Sequence, residues 1–240
     1  MKITLLGTGD AIGTPKVNCD CPQCSHAKET GATRLRTSLL IQNEGKNILV
    51  DSSPDLRMQL LRSGSPHIDA VIWTHGHYDH FIGFGEFYRI QPIPPVFAAP
   101  PVLNYCAETF RFLKFDKYPV DPYTPFELFG ITITPFMVKH PPAFTCGMLF
   151  ETDNVRIGFT SDTNRDIPQK SLDLLKGLDL LLMDAIVPSN ITIQKHMNYL
   201  DACTLAQELG PEDFRCVHMS HLMPWDLPHL GTDGEAFNFP

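Results

Sequence analysis

The chain has 240 residues, 43% of them hydrophobic, and a formal net charge of −8, enough apolar material for one core and hence for a single domain over 1–240. The negative balance argues against a general nucleic-acid binder, which needs a basic face. No run of eighteen apolar residues is present to cross a membrane, and the opening MKITLLGTGD reaches glycine and aspartate too early for a secretory leader, so a cytoplasmic protein with no membrane partner is expected.

Lys2 to Leu6 predicts an opening strand, followed from Gly7 to Pro15 by the glycine-rich loop GTGDAIGTP. That loop lacks the lysine of a P-loop and the further glycine of a dinucleotide fingerprint, so a tight turn beside a site is preferred to a phosphate cradle. CDCPQC then sets Cys19, Cys21 and Cys24 within six residues. Three thiolates suit one tetrahedral zinc ion that takes its fourth ligand from elsewhere. A redox role for Cys21 and Cys24 is the weaker alternative, because no thioredoxin-like strand and helix surround them. An odd total of seven cysteines favours thiols and metal ligation over disulfides. Cys106, Cys146, Cys203 and Cys216 stand alone and read as small core residues.

Thr37 to Gln42 and Asn47 to Val50 predict a hairpin around a polar turn, and Asp51 ends its second strand. Pro54 is placed to open a helix in which Leu56, Leu60 and Leu61 share a face. Arg34, Arg36 and Arg57 receive no role. The densest chemistry lies in DAVIWTHGHYDH, Asp69 to His80. Its apolar residues Ala70 to Trp73 read as a buried strand, and the seven residues after them hold three histidines and an aspartate. Imidazole and carboxylate are the usual ligands of zinc, iron or manganese, so the turn at the strand's end can present His75 and His77 to one cation and Asp79 and His80 to a second.

Phe81 to Ile90 and the proline-rich QPIPPVFAAPP read as pocket wall or lid, with core packing as the alternative. A helix is expected from about Val102 to Phe115, and the prolines of DKYPVDPYTP exclude regular structure after it. Ile131 to Lys139 predicts a strand that delivers His140, and Val155 to Phe159 predicts another that ends in TSDT and presents Asp162. Leu172 to Lys176 reads as helical, and Leu178 to Met183 as an apolar strand ending at Asp184. His196 lies in the loop before a helix whose buried side is Leu200, Leu205 and Leu209; there it can reach a pocket, with Asp184 to orient its ring. Phe214 to Val217 predicts a short strand leading into HMSH, which carries His218 and His221, and the tail beyond Met223 reads as irregular.

The pattern H-x-H-x-D-H after an apolar strand resembles the signature of the metallo-β-lactamase superfamily. The resemblance implies an α/β fold, a four-layer αββα sandwich in a single domain, with one or two metals at its rim. It makes His140 the third histidine of the first site, Asp162 the bridge between two ions, and Asp51 a support of the metal loop. His218 then completes the second site with Asp79, His80 and Asp162, and His221 closes the zinc site of Cys19, Cys21 and Cys24 in a small loop over 15–27. The swapped assignment, His221 catalytic and His218 structural, stays open.

C-x-C-x-x-C near the start and H-x-x-H near the end, joined to that motif, resemble the PhnP-type phosphodiesterases, which open the cyclic phosphate of phosphoribosyl cyclic phosphate during phosphonate breakdown. The likeness spans nearly the whole chain, from GTGDAIGTP to HMSH, and includes a histidine placed like His196. It implies two divalent ions at the catalytic site, manganese or zinc with iron and nickel as further options, and one structural zinc. Two such ions bind a hydroxide between them and neutralise phosphoryl oxygens, Asp79 orients that hydroxide, and His196 serves as general acid. The expected partner is a small phosphodiester of the 5-phosphoribosyl 1,2-cyclic phosphate type; a nucleic acid is not expected, and a homodimer is allowed. A transfer-RNA 3′-processing nuclease, a lactonase or thioesterase, and a non-catalytic metal-stabilised binding module are the alternatives.

Overall fold

Runs of buried aliphatic residues in each half of the chain build one sheet apiece, except that the last strand of the chain returns to the edge of the first sheet. The computed structural model describes residues 1–240. The first half gives β1 (Lys2–Gly7), α1 (Pro22–Thr30), β2 (Ser38–Asn43), β3 (Lys46–Val50), α2 (Leu56–Arg62), β4 (Ala70–Ile72) and α3 (Tyr78–Phe81). A 3₁₀ turn (Ile82–Glu86), α4 (Phe87–Ile90), β5 (Val96–Ala98), α5 (Pro100–Thr109) and β6 (Lys117–Pro119) follow. The second half gives β7 (Phe126–Leu128), β8 (Ile131–Met137), β9 (Cys146–Thr152), β10 (Val155–Phe159), α6 (Gln169–Leu174), β11 (Leu180–Asp184), α7 (Tyr199–Leu209), β12 (Asp213–Val217) and β13 (Ala236–Asn238).

The first sheet has the order β13-β1-β2-β3-β4-β5-β6 and the second β12-β11-β10-β9-β8-β7. Each begins as antiparallel hairpins and continues through helical crossovers into parallel strands: β3, β4, β5 and β6 in one, β10, β11 and β12 in the other. A core of 37 buried residues joins the two sheets and takes in α2 and the aromatic segment after α3, while a second core of 17 seats α7 on the outer face of the second sheet. This is the αββα arrangement. Catalytic groups of such sheets collect beyond the carboxyl ends of the parallel strands, and β3, β4, β10, β11 and β12 all end at one rim, the one that carries the histidines. No helix is long and apolar enough to cross a membrane.

Several expectations are corrected by the packing. Phe81, Phe84 and Phe87 form no lid: they are buried, and Trp73, itself wholly buried, meets Phe84 edge-on at 5.0 Å and stacks on Phe110 at 6.1 Å. Full burial of each such ring is worth roughly 1.5–3 kcal/mol. The helix expected over Val102 to Phe115 begins at Pro100, whose fixed φ suits a first turn, and ends at Thr109. The segment DKYPVDPYTP does contain a strand, β6, because Pro119 is the last residue of an exposed edge strand, where a missing N–H costs no ladder bond. Leu61 and Leu200 face solvent, and Ala202 and Ala206 take the buried side with Leu205 and Leu209. The tail is not irregular throughout: β13 pairs antiparallel with β1, Lys2 opposite Asn238.

Candidate metal centre

Each member of the cluster leaves the end of a strand. His75 and His77 follow β4, and α3 turns immediately afterwards to bring Asp79 and His80 back over the same rim. Potential ligand atoms of His75, His77, His140 and Asp162 lie within 4.8 Å of one another, as do those of Asp79, His80 and His218. Asp162 adjoins both sets: its Oδ2 is 3.6 Å from Nε2 of His75, 3.6 Å from Nε2 of His140 and 3.3 Å from Nε2 of His218, and its Oδ1 is 3.4 Å from Nε2 of His80.

The outer nitrogens of the imidazoles are held by the protein, which aims the inner ones at the centre. His80 donates from Nδ1 to Oδ2 of Asp51 at 2.7 Å, and His140 donates from Nδ1 to the carbonyl of Lys195 at 3.1 Å. His75 Nδ1 lies 3.0 Å from Oγ1 of Thr74, whose hydroxyl donates to Asp51 and whose N–H donates to the other oxygen of that carboxylate. Asp51 thus holds both His80 and Thr74 of the loop, as the superfamily resemblance implies. Thr74 joins it to Ser161, whose hydroxyl donates to Oγ1 of Thr74 at 2.9 Å. Neither hydroxyl is singled out by the sequence, because a threonine or serine at a strand end carries no signal of its own.

Three inner atoms, His75 Nε2, His80 Nε2 and Asp162 Oδ1, have no protein hydrogen bond, while His140 Nε2 meets His77 Nδ1 at 3.0 Å and His218 Nε2 meets Asp79 at 3.4 Å. Eight buried side-chain nitrogen or oxygen atoms in the chain lack a partner; these three are among them, and two more, Asp184 Oδ1 and His218 Nδ1, face each other at 3.8 Å on the outer side of the cluster. Buried polar atoms are ordinarily paired, so a set of inward-facing orphans among imidazoles and carboxylates fits divalent cations. The electrostatics agree. Burial holds His75, His77 and His140 below the ordinary imidazole range, in the neutral form that ligates. Burial also pushes His80 and His218 down, but the carboxylates around them, Asp162 foremost, override it and hold both well above that range. The second cluster is a place where positive charge is stabilised.

A family model described as "Beta-lactamase superfamily domain" matches residues 46–219. The chain belongs to the metallo-β-lactamase superfamily. Among solved structures of this superfamily fold, a new diphosphatase from the PhnP family superposes with a TM-score of 0.89 at 29% identity, covering 100% of this chain and 98% of the other. Zn(2+)-bound PqqB from Methylobacterium extorquens superposes at 0.86 and 20% identity, with 100% of each chain covered. An octanoyltransferase of Porphyromonas gingivalis is 31% identical over 248 residues, 96% of this chain and 48% of that protein. The chain therefore spans about half the length of that curated relative.

Two further groups adjoin the cluster. His196 Nδ1 lies 2.6 Å from Oδ2 of Asp184, and its ring stacks on His218 at 5.1 Å and meets His140 edge-on at 4.6 Å. A ring nitrogen of His196 also falls within 4.8 Å of ligand atoms of Asp162 and His218. Asp184 is wholly buried and receives the Thr163 N–H on the same oxygen as His196, while its other oxygen is 3.8 Å from His218 Nδ1.

Cys19, Cys21, Cys24 and His221 converge with all ligand atoms within 4.8 Å. His221 Nδ1 is 3.6 Å from the Cys19 sulfur and 3.4 Å from that of Cys21, so the structure puts His221 at the thiols and His218 at the carboxylates rather than the reverse. Burial would raise the Cys21 thiol, but His221 and the Cys24 N–H bring it down to about 6, towards the ligating thiolate. Arg34, given no role from sequence, clamps this turn. Its buried guanidinium donates to the carbonyls of Ser220, Met223 and Pro224 and lies 4.0 Å over the Trp225 ring. No local pattern reveals a contact made across some 190 residues of chain.

Proposed function

We propose that this chain is a metal-dependent phosphoric diester hydrolase acting on a small diester, with a cyclic ribosyl phosphate of the 5-phosphoribosyl 1,2-cyclic phosphate type as first candidate. The observation that carries the reading is the position of Asp162 between two complete ligand sets, with the His196–Asp184 pair beside both. When bound there, two divalent cations supply a nucleophile at neutral pH and neutralise charge on phosphoryl oxygens.

The side chains do the rest. His75, His77 and His140 form one cradle, Asp79, His80 and His218 the other, and Asp162 belongs to both. Asp79 orients the attacking water. Its oxygen bonds to phosphorus as the bond from phosphorus to the ribosyl oxygen breaks. That oxygen leaves poorly as an alkoxide, and His196 delivers a proton to it from the ring nitrogen that Asp184 does not hold, a contribution of about a hundredfold to ten-thousandfold. Cys19, Cys21, Cys24 and His221 take a structural zinc that fixes the loop over 15–27 to the turn bearing His218. The full-length likeness to a PhnP-family diphosphatase supports phosphoryl chemistry.

The likeness to half of an octanoyltransferase supports a second reading, hydrolysis of an acyl thioester by the same ligand set. Turnover of bis(p-nitrophenyl) phosphate and of ribosyl cyclic phosphates by manganese-loaded protein, beside an octanoyl thioester, a lactone and a precursor tRNA, decides between them. Diester cleavage alone is expected. Cleavage of the thioester without the diesters replaces the first reading by the second, and silence on every substrate leaves a metal-stabilised binding module.

A further inference from the structure

A slot of about 370 Å³ opens beside the metal centre, at the lower end of small-ligand pockets. Tyr105 and Val102 of α5 form one side, Pro142 and Phe144 from the turn between β8 and β9 the other, and Gly76 and His77 of the metal loop the inner end. No lysine, arginine or carboxylate lines it. His77 belongs both to this slot and to the first ligand cluster, so a molecule with phosphorus at the metals has its organic part within reach of the slot.

Tyr105 is 64% exposed and yet held in place. A Cβ on Gly76 would stand 2.5 Å from Cδ1 of Tyr105, so the ring rests directly on the backbone between His75 and His77, and only glycine at 76 admits it. Phe81 meets the same ring edge-on at 6.2 Å. An aromatic face positioned before ligand arrives loses little freedom on binding.

We propose that Tyr105 is a specificity residue whose ring stacks on a planar heteroaromatic group carried by the phosphoester, which narrows the ribosyl cyclic phosphates of the proposed function to those that carry a base and ranks the base-free 5-phosphoribosyl 1,2-cyclic phosphate behind them. The inference rests on reading the site as a phosphoester hydrolase. A bare sugar phosphate offers only hydroxyls and charge, for which these walls hold no charged partner and only the Tyr105 hydroxyl and the His77 ring as polar ones. A flexible acyl chain would bury area there but lose rotamer freedom for every bond it fixes, whereas a rigid ring loses none.

The test compares adenosine 5′-monophosphate with ribose 5-phosphate, which differ by the base, as competitors of methyl p-nitrophenyl phosphate turnover and as ligands in calorimetry of the metal-loaded protein. The nucleotide is expected to bind between about fivefold and a hundredfold more tightly, the range that stacking of one base supplies. Tyr105→Phe should keep that ratio, and Tyr105→Ala should bring it close to one. Equal binding in the unsubstituted protein, or an unchanged ratio in Tyr105→Ala, overturns the role of Tyr105 and leaves the hydrolase reading standing, since both phosphates still compete with the diester. If neither phosphate binds and the diester is not turned over, the hydrolase reading fails and the proposal fails with it.

Discussion

Asp184→Asn changes one buried oxygen to nitrogen at nearly constant volume, which makes it a sharp probe of the His196 assignment. In the native site Oδ2 of Asp184 accepts from His196 Nδ1 at 2.6 Å and from the Thr163 N–H at 2.9 Å. The asparagine carbonyl can keep both contacts, but its NH₂ then faces His218 Nδ1, 3.8 Å from the present Oδ1. His196 loses the carboxylate that stabilises its charged form, worth about 1.5–3 kcal/mol for a hydrogen bond to a charged group. Turnover should fall between about tenfold and a hundredfold at saturating manganese. Because the negative charge 3.8 Å from His218 Nδ1 is lost and an NH₂ takes its place, metal affinity should also fall by roughly ten- to a hundredfold. The assay is diester turnover across a manganese titration for wild type, Asp184→Asn, His196→Ala and the double variant. If Asp184 acts through His196, the double variant at saturating metal matches His196→Ala within about threefold, since the two groups form one unit. Full turnover in Asp184→Asn, or a further loss in the double variant as large as in the single, would refute the reasoning.

Two further predictions concern the frame around the site. Cys21→Ser should remove one zinc per chain and lower Tm by roughly 5–10 °C, equivalent to about 2–3 kcal/mol in a chain of this length, with the ions of the histidine cluster retained; elemental analysis with calorimetry checks it, and unchanged zinc content sinks the assignment. Asp233→Ala should destabilise by about 2–4 kcal/mol, because Asp233 accepts from the buried Thr8 N–H and hydroxyl and from Thr33 and the Leu35 N–H, all at 2.8–3.0 Å, and buried donors left unpaired cost about 1–3 kcal/mol each. Urea unfolding reads this as a lower midpoint at constant slope.

The residues that converge on the candidate centre were legible in the sequence because metal chemistry demands particular residue types close together at strand ends, and apolar strands such as Ala70–Ile72 and Leu180–Asp184 announce those ends. Strand β9 was not. CGMLFET is buried over its first five residues and shows no alternation, since one face packs on the central core and the other on the second. The β13 edge and the Asp233 and Arg34 clamps were equally silent: their partners lie some 190 to 240 residues away in the chain, and pairing at that distance leaves no periodicity to read. The aromatic stretch after the metal motif misled for a different reason. Glycine-spaced phenylalanines fit a lid and a core alike, and only the wholly buried Trp73 beneath them decides for the core.

Three residues at the rim show where geometry overrides local preference. Asp51, Ser161 and His218 adopt φ of 60°, 54° and 59°, the left-handed region that costs a residue with a side chain roughly 1–2 kcal/mol. Glycine would relax each position, but it would remove the carboxylate that holds His80, the hydroxyl that anchors Thr74, or the imidazole of the second cluster. Each lies one or two residues beyond the end of a parallel strand, β3, β10 or β12, where the backbone must turn sharply for the side chain to meet groups from neighbouring strands. The strain is countered locally. Asp51 N–H donates to the Ile72 carbonyl, and the backbone beside His218 is tied at Met219, which exchanges hydrogen bonds with Thr8 and Asp10 of the glycine-rich loop. That gives GTGDAIGTP a physical role: by bonding to Met219 on one side of the turn while the thiol cluster takes His221 on the other, the amino-terminal segment holds His218 in a conformation its own sequence does not favour.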